Sequence, residues 1–190
     1  MYIRKQGGKA FMSVTYISSK EQGLSLIESA MVLSLAATIT AGVMFYYQST
    51  SDSNKTLKTI EEVMTVTSAI NGLYIGQKDY NNLSSLTLLG LSAIPDSYKK
   101  GYDILNPFGG RLEVSTYSQQ TKYKIKLTNL PKEACVRLST QNLGTAANGY
   151  AINPFNGDSD ESKMKKRITP NEASDLCSSG DTNSVTFFMK

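Results

Sequence analysis

The 190-residue sequence has no histidine and no tryptophan, only two cysteines and only five prolines. Without histidine there is no imidazole base, no serine or cysteine triad and no histidine-ligated metal. The two cysteines, Cys135 and Cys177, make a poor zinc site by themselves. Phosphate loops, dinucleotide fingerprints and nucleophile elbows are missing, so no cofactor is expected. Paired carboxylates do occur. Glu61 and Glu62 fit an exposed helix face. Asp158, Asp160 and Glu161 lie in "NGDSDESKMKKR", an acidic-then-basic run typical of a solvated loop. None of this points to an enzyme.

Charge is absent from one stretch and crowded before it. Residues 29–47 carry no charge at all, a run of 19 residues that could cross a bilayer as a helix. Arg4, Lys5, Lys9 and Lys20 against Glu21 give residues 1–23 a net +3, which leaves +1 of the total +4 for the rest of the chain. The body is therefore not expected to bind nucleic acid. A basic leader before an apolar run resembles an export signal, with the C-terminal part crossing outward. The run is longer than an ordinary signal core, and "QSTSDSNK" follows it in place of a small-residue cleavage site, so the segment is expected to be retained. A simple uncleaved anchor is the plainest reading of that pattern.

Glu28 does not fit a simple anchor. A carboxylate inside a spanning helix costs roughly 2.5–3.5 kcal/mol at the bilayer centre and less near an end. It follows Gly23 by five residues. A cut after Gly23 would create an α-amino group on Leu24, one helical turn away. The amino group of a neighbouring copy could equally pair with Glu28, and paired charges are tolerated where a lone one is not. Ala30, Ser34, Thr38 and Gly42 recur every four residues and form a small-residue stripe along one helix face. Such stripes let helices approach closely in lipid, although small residues are common in membrane helices generally. Phe45, Tyr46 and Tyr47 have the character of an interfacial aromatic belt.

The segment "KEQGLSLIESAMVLSLAATITAGVMFYYQ" resembles the N-terminus of type IV prepilins. A leucine after the glycine and a long leader are similar to the type IVb branch. "SDSNK", "SAINGLYIGQ", "SAIPDSYK", "NPFGG", "NLGT" and "FFMK" resemble its bundlin members, the major subunits of bundle-forming pili. The likeness covers most of the chain after Gly23 and weakens near 115–125 and 156–167. It implies cleavage by a prepilin peptidase between Gly23 and Leu24, methylation of Leu24 and an assembly role for Glu28. The start could be Met1 or Met12. The implied partners are other copies of the chain in a homopolymer and the inner-membrane assembly machinery with its ATPase. Host cell surfaces and neighbouring pili are further implied partners. The implied location is the inner membrane before assembly and then an extracellular pilus on a Gram-negative cell, serving cell aggregation and adherence. A minor pilin, a secretion pseudopilin or a signal-anchored binding module are the alternatives.

The implied fold is α+β: a long N-terminal helix packed on a mainly antiparallel sheet, with a disulfide-closed C-terminal region. The residues agree. Leu57, Ile60, Val63, Met64, Ile70, Leu73 and Tyr74 recur at helical spacing, so one helix is expected from Leu24 to about Ile75, ~80 Å long, stopped by Gly76. Leader (1–23), helix (24–76) and head (77–190) are the expected divisions. "NNLSSLTLLGLSAIP" suggests a loop with a short helix, and "NPFGG" a turn. Leu112, Val114 and Thr116 alternate, as do Tyr123, Ile125 and Leu127, which predicts a hairpin. "LPKEACVRLSTQNLG" is expected to be helical with its stop near Gly144. In "TPNEASDLC", Thr169, Pro170 and Glu172 form a capping-box signature. Val185, Phe187 and Met189 predict a last strand, which the resemblance places inside the sheet. Two cysteines in an exported domain favour a disulfide; two free thiols would suit a cytosolic protein.

Overall fold

A computed structural model describes residues 25–92, 94–153 and 163–190. Gly23, Leu24 and the acidic run Asp158, Asp160 and Glu161 lie outside the described residues. The first helix, α1, runs Leu26–Leu73 without a break, about 72 Å at 1.5 Å per residue. Past Leu73 the chain turns, and Gly76 takes φ +78°, a conformation that favours glycine. By internal contacts the chain divides into one unit up to Met44 and a second comprising Phe45–Lys190.

In the second unit, α1 buries Thr56, Thr59, Glu62, Val63, Val66 and Ile70. The stripe 56, 59, 63, 66, 70 steps by three and four residues, one face of a helix. It differs from the expected stripe in two ways. Leu57 is 65% and Met64 51% exposed. Glu62, expected on an exposed face, is fully buried, whereas Glu61 is exposed. The reason lies in the threonines. The Thr56 and Thr59 hydroxyls donate to the carbonyls of Asp52 and Lys55, each at 2.8 Å. With its hydroxyl satisfied by its own helix, each threonine buries its methyl like an apolar residue.

Two short elements follow: α2 (Ser85–Leu89), capped by Ser84, and a 3₁₀ turn at Asp96–Tyr98. Among the described residues the sheet has six strands: β1 (Lys99–Lys100), β2 (Asp103–Leu105), β3 (Arg111–Tyr117), β4 (Lys122–Leu130), β5 (Ala147–Ile152) and β6 (Asn183–Met189). Their order is β1-β2-β3-β4-β6-β5, with all neighbours antiparallel. The expected hairpin is β3–β4. Leu112 lies opposite Leu127, Val114 opposite Ile125 and Thr116 opposite Tyr123; all of these but the half-buried Thr116 are buried, so the alternating residues share the core face. The C-terminal strand β6 sits between β4 and β5. Residues 185–189 of β6 are all buried, more than alternation foretold, and the Tyr117 ring packs edge-on against Phe188 with 5.2 Å between centroids.

The "NPFGG" turn closes as a hydrogen-bonded turn: Gly109 N–H donates to the Asn106 carbonyl at 2.8 Å. Asn106 is buried and does more. Its Oδ1 accepts from the N–H groups of Phe108 and Gly110, and its Nδ2 donates to the Thr128 carbonyl at 2.9 Å. A Cβ at Gly110 would lie within 2 Å of that same carbonyl, so only glycine fits. The turn presents Phe108, over which the Lys55 ammonium of α1 sits 5.7 Å from the ring centroid.

The C-terminal region is stapled. Helix α3 (Lys132–Thr140) stops at Thr140, short of the expected Gly144. Ser139 and Thr140 fold their hydroxyls back onto the Val136 carbonyl, competition that weakens a last helical turn. Gly144, φ +67°, instead opens a 3₁₀ turn leading into β5. Helix α4 (Pro170–Leu176) begins with the complete capping box: Thr169 accepts from Glu172 N–H, and Glu172 accepts from Thr169 N–H at 3.0 Å. Cys135 on α3 and Cys177 at the end of α4 form a disulfide with 6.1 Å between Cα atoms, and both are buried. Beside it, Asn183 ties the segment after α4 to the sheet, donating to the Leu130 and Ser178 carbonyls at 3.1 and 2.9 Å.

Candidate assembly interface

Within the unit ending at Met44, the described residues make a helix with no interior. Leu26, Ile27, Met31, Val32, Leu33, Leu35, Ile39, Val43 and Met44 are all at least 60% exposed. Leaving such a side chain in water instead of burying it forgoes ~1.5–3 kcal/mol. A helix that is apolar all round belongs inside a membrane or among other chains. Among the described residues, α1 is the one helix long and apolar enough to cross a membrane, and its most apolar window has no burial at all. Phe45, Tyr46 and Tyr47 follow at 77%, 73% and 75% exposure.

The small-residue stripe is present as a geometric feature. Ala30, Ser34, Thr38 and Gly42 all lie exposed on α1. The Ser34 hydroxyl donates to the Met31 carbonyl at 2.9 Å and that of Thr38 to the Ser34 carbonyl at 2.6 Å. Both hydroxyls are thereby satisfied, so the stripe offers a smooth, shallow face of methyl and methylene groups to a neighbouring helix. A Cβ at Gly42 would meet nothing within 4 Å in this chain. The fold itself does not demand glycine there.

Glu28 stands exposed in the first turn, with Oε2 3.4 Å from Ser25 N–H. Ser25-Leu26-Ile27-Glu28 has capping-box spacing, and this bond is the glutamate's half of it. A carboxylate here also meets the positive end of the helix. Sequence reasoning did not see this local contribution. Gly23 and Leu24, the two residues on which the cleavage site rests, fall outside the described residues.

The sequence also gave no sign of a second exposed apolar surface. Leu57, Met64, Ser68, Ala69 and Gly72 line a groove of about 700 Å³ along α1. Leu57 and Met64 share the helical spacing of the core residues but lie off the buried stripe.

The bundlin family model matches residues 48–187, from the end of the apolar run nearly to the C-terminus. The chain is also 55% identical over 183 aligned residues to the major structural subunit of the bundle-forming pilus of Escherichia coli O127:H6. This match takes in 90% of the chain and 95% of that relative. The chain belongs to the bundlin family. The corresponding subunit of Escherichia coli O111:H- is similar to the same degree. Among solved structures, TcpA, a type IV pilin from Vibrio cholerae El Tor biotype, superposes with a TM-score of 0.50 at 15% identity, covering 72% of this chain and 99% of that one. At that identity the likeness concerns the fold: the bundlin-family chain has a type IV pilin architecture. The family match begins at residue 48 and so does not reach Gly23, Leu24, Glu28 or the small-residue stripe.

Proposed function

We propose that the chain is the major subunit of a bundle-forming type IVb pilus, a structural protein that polymerises through α1. The observation that carries this reading is the exposure of every large apolar side chain from Leu26 to Met44 on a helix joined to a fully formed core. Such a helix is satisfied by lipid before assembly and by copies of itself afterwards. In this reading a prepilin peptidase cuts between Gly23 and Leu24 in the inner membrane, and Leu24 is methylated. An assembly ATPase then drives subunits into a filament that leaves the cell. Glu28 pairs with the Leu24 amino group of a neighbouring subunit and fixes axial register. Ala30, Ser34, Thr38 and Gly42 line a close helix–helix contact. Filament-to-filament and filament-to-host contacts belong to the head. The test is mass spectrometry of the mature N-terminus. A chain beginning at methylated Leu24, lost in Gly23→Val, is expected; an intact leader in assembled filaments would overturn the reading.

A further inference from the structure

Glu62 is the one carboxylate on α1 that the fold encloses completely. Its side chain is fully buried, and neither carboxylate oxygen has a hydrogen-bond partner among the described residues. It shares its face with Thr59, Val63 and Val66, all fully or almost fully buried. Glu61, the next residue back, points to solvent. A glutamine or leucine at position 62 would fill similar space with no dependence on pH. An isolated carboxylate in such a place is very costly, and the side chain responds by holding its proton.

We propose that Glu62 is a proton-operated latch within the head: as a neutral acid it seats the second half of α1 against the sheet domain, and as an anion it unseats it. Burial pushes its carboxyl up to about 8. The titratable group facing it from another element is Tyr98, on the 3₁₀ turn. Burial raises the Tyr98 phenol first, and the negative charges of Glu62 and then Glu61 raise it further. The sign follows. Unfolded, Glu62 ionises near 4.5; folded, it keeps its proton to about 8. The contribution to stability is therefore full below about 4.5 and declines with rising pH until it is gone above about 8. Tyr98 titrates above its ordinary value of 10.0, outside that window. The latch lies wholly in the Phe45–Lys190 unit and does not depend on how filaments assemble.

The experiment uses the full chain in detergent micelles, with thermal unfolding followed from about pH 5 to about pH 9. The parent is expected to lose several degrees of Tm across that range. Glu62→Gln should lose far less and melt above the parent at the alkaline end. Infrared spectra of the parent should show a protonated carboxyl band at neutral pH that disappears with a midpoint near 8 and is missing from Glu62→Gln. If Glu62→Gln fails to fold, the parent's infrared titration alone decides. A parent Tm with the same pH slope as the glutamine variant, or no protonated carboxyl at neutral pH, would overturn the latch.

Discussion

The unit ending at Met44 and the unit Phe45–Lys190 treat the same kind of side chain in opposite ways. In the first, leucines, valines and methionines stand exposed around the whole helix. In the second, Val63, Val66 and Ile70 of the same helix are at most 1% exposed, beside Leu112, Ile125, Leu127 and Phe187. Hydrophobicity alone therefore does not decide burial within one chain; the availability of a facing surface does. Where the head supplies a sheet, α1 is half-buried and amphipathic. Where it supplies nothing, α1 is apolar on all sides, and the missing surface has to come from lipid or from other copies.

Variants should separate the two regions, since the head's stability and the helix's assembly face rest on different residues. The largest effect on stability is expected at the disulfide. Closing a loop of 42 residues corresponds to about 4 kcal/mol in the chain-entropy model, within a measured range of roughly 0–5. Cys135→Ser or Cys177→Ser should lower the head's unfolding temperature and expose the subunit to degradation in an oxidising compartment. Denaturation of purified chain and an immunoblot check this, and a double serine variant as stable as the parent would remove the staple's role.

A smaller loss is expected at the α4 cap. Thr169→Ala should cost about 1 kcal/mol, the usual worth of an N-cap hydroxyl. The backbone N–H of Thr169, then Lys165 and the Thr169 hydroxyl, hold the Glu172 carboxyl down to about 2. Stability from that carboxylate is present above its ordinary value of 4.5 and lost as pH falls toward 2. Chemical denaturation at neutral and acid pH should show the gap between Thr169→Ala and the parent narrowing at the acid end, where the hydroxyl keeps its bond from Glu172 N–H but loses the carboxylate. A constant gap at every pH would mean that the cap and the carboxylate act independently.

The smallest effect on the head, and a large one on assembly, is expected at Gly42. A Cβ added at Gly42 meets no other atom of the chain within 4 Å, so Gly42→Leu should leave the head's stability within the ±0.5 kcal/mol scatter of surface changes. Filament yield, counted by electron microscopy, should fall because two helices can no longer approach at that point. Normal yield would mean that the small-residue stripe is incidental.

Much of this fold was legible in the sequence where local chemistry and tertiary structure agree. The β3–β4 hairpin was readable because its alternating residues form cross-strand pairs on one buried face. The α4 start was readable because a capping box is a wholly local device. The disulfide was readable because there were only two cysteines to join. Other features were hidden for physical reasons. Strand β5, "ANGYAI", has small residues and no alternation; it forms because β6 offers it an edge. Strand β1 has two residues and no pattern to read. The buried stripe of α1 was misjudged because Thr56 and Thr59 look polar until their hydroxyls bond to their own helix. Glu62 was placed in solvent because a carboxylate is almost never enclosed. The small-residue stripe and Glu28 were visible as patterns, but a single chain contains no surface for them to meet.

The most direct measurement is of Glu28→Gln. Electron microscopy would count filaments while an immunoblot and thermal unfolding follow the mature subunit and its head. If the N-terminal helix acts between chains, the variant should insert, be cut after Gly23 and keep the parent's unfolding temperature, yet make few filaments or none. The glutamine variant keeps an amide oxygen to accept from Ser25 N–H, a bond 3.4 Å long in the parent, so the substitution removes the charge and spares the local cap. Abundant normal filaments from Glu28→Gln would contradict an inter-chain partner for the carboxylate and leave the local cap as its whole role.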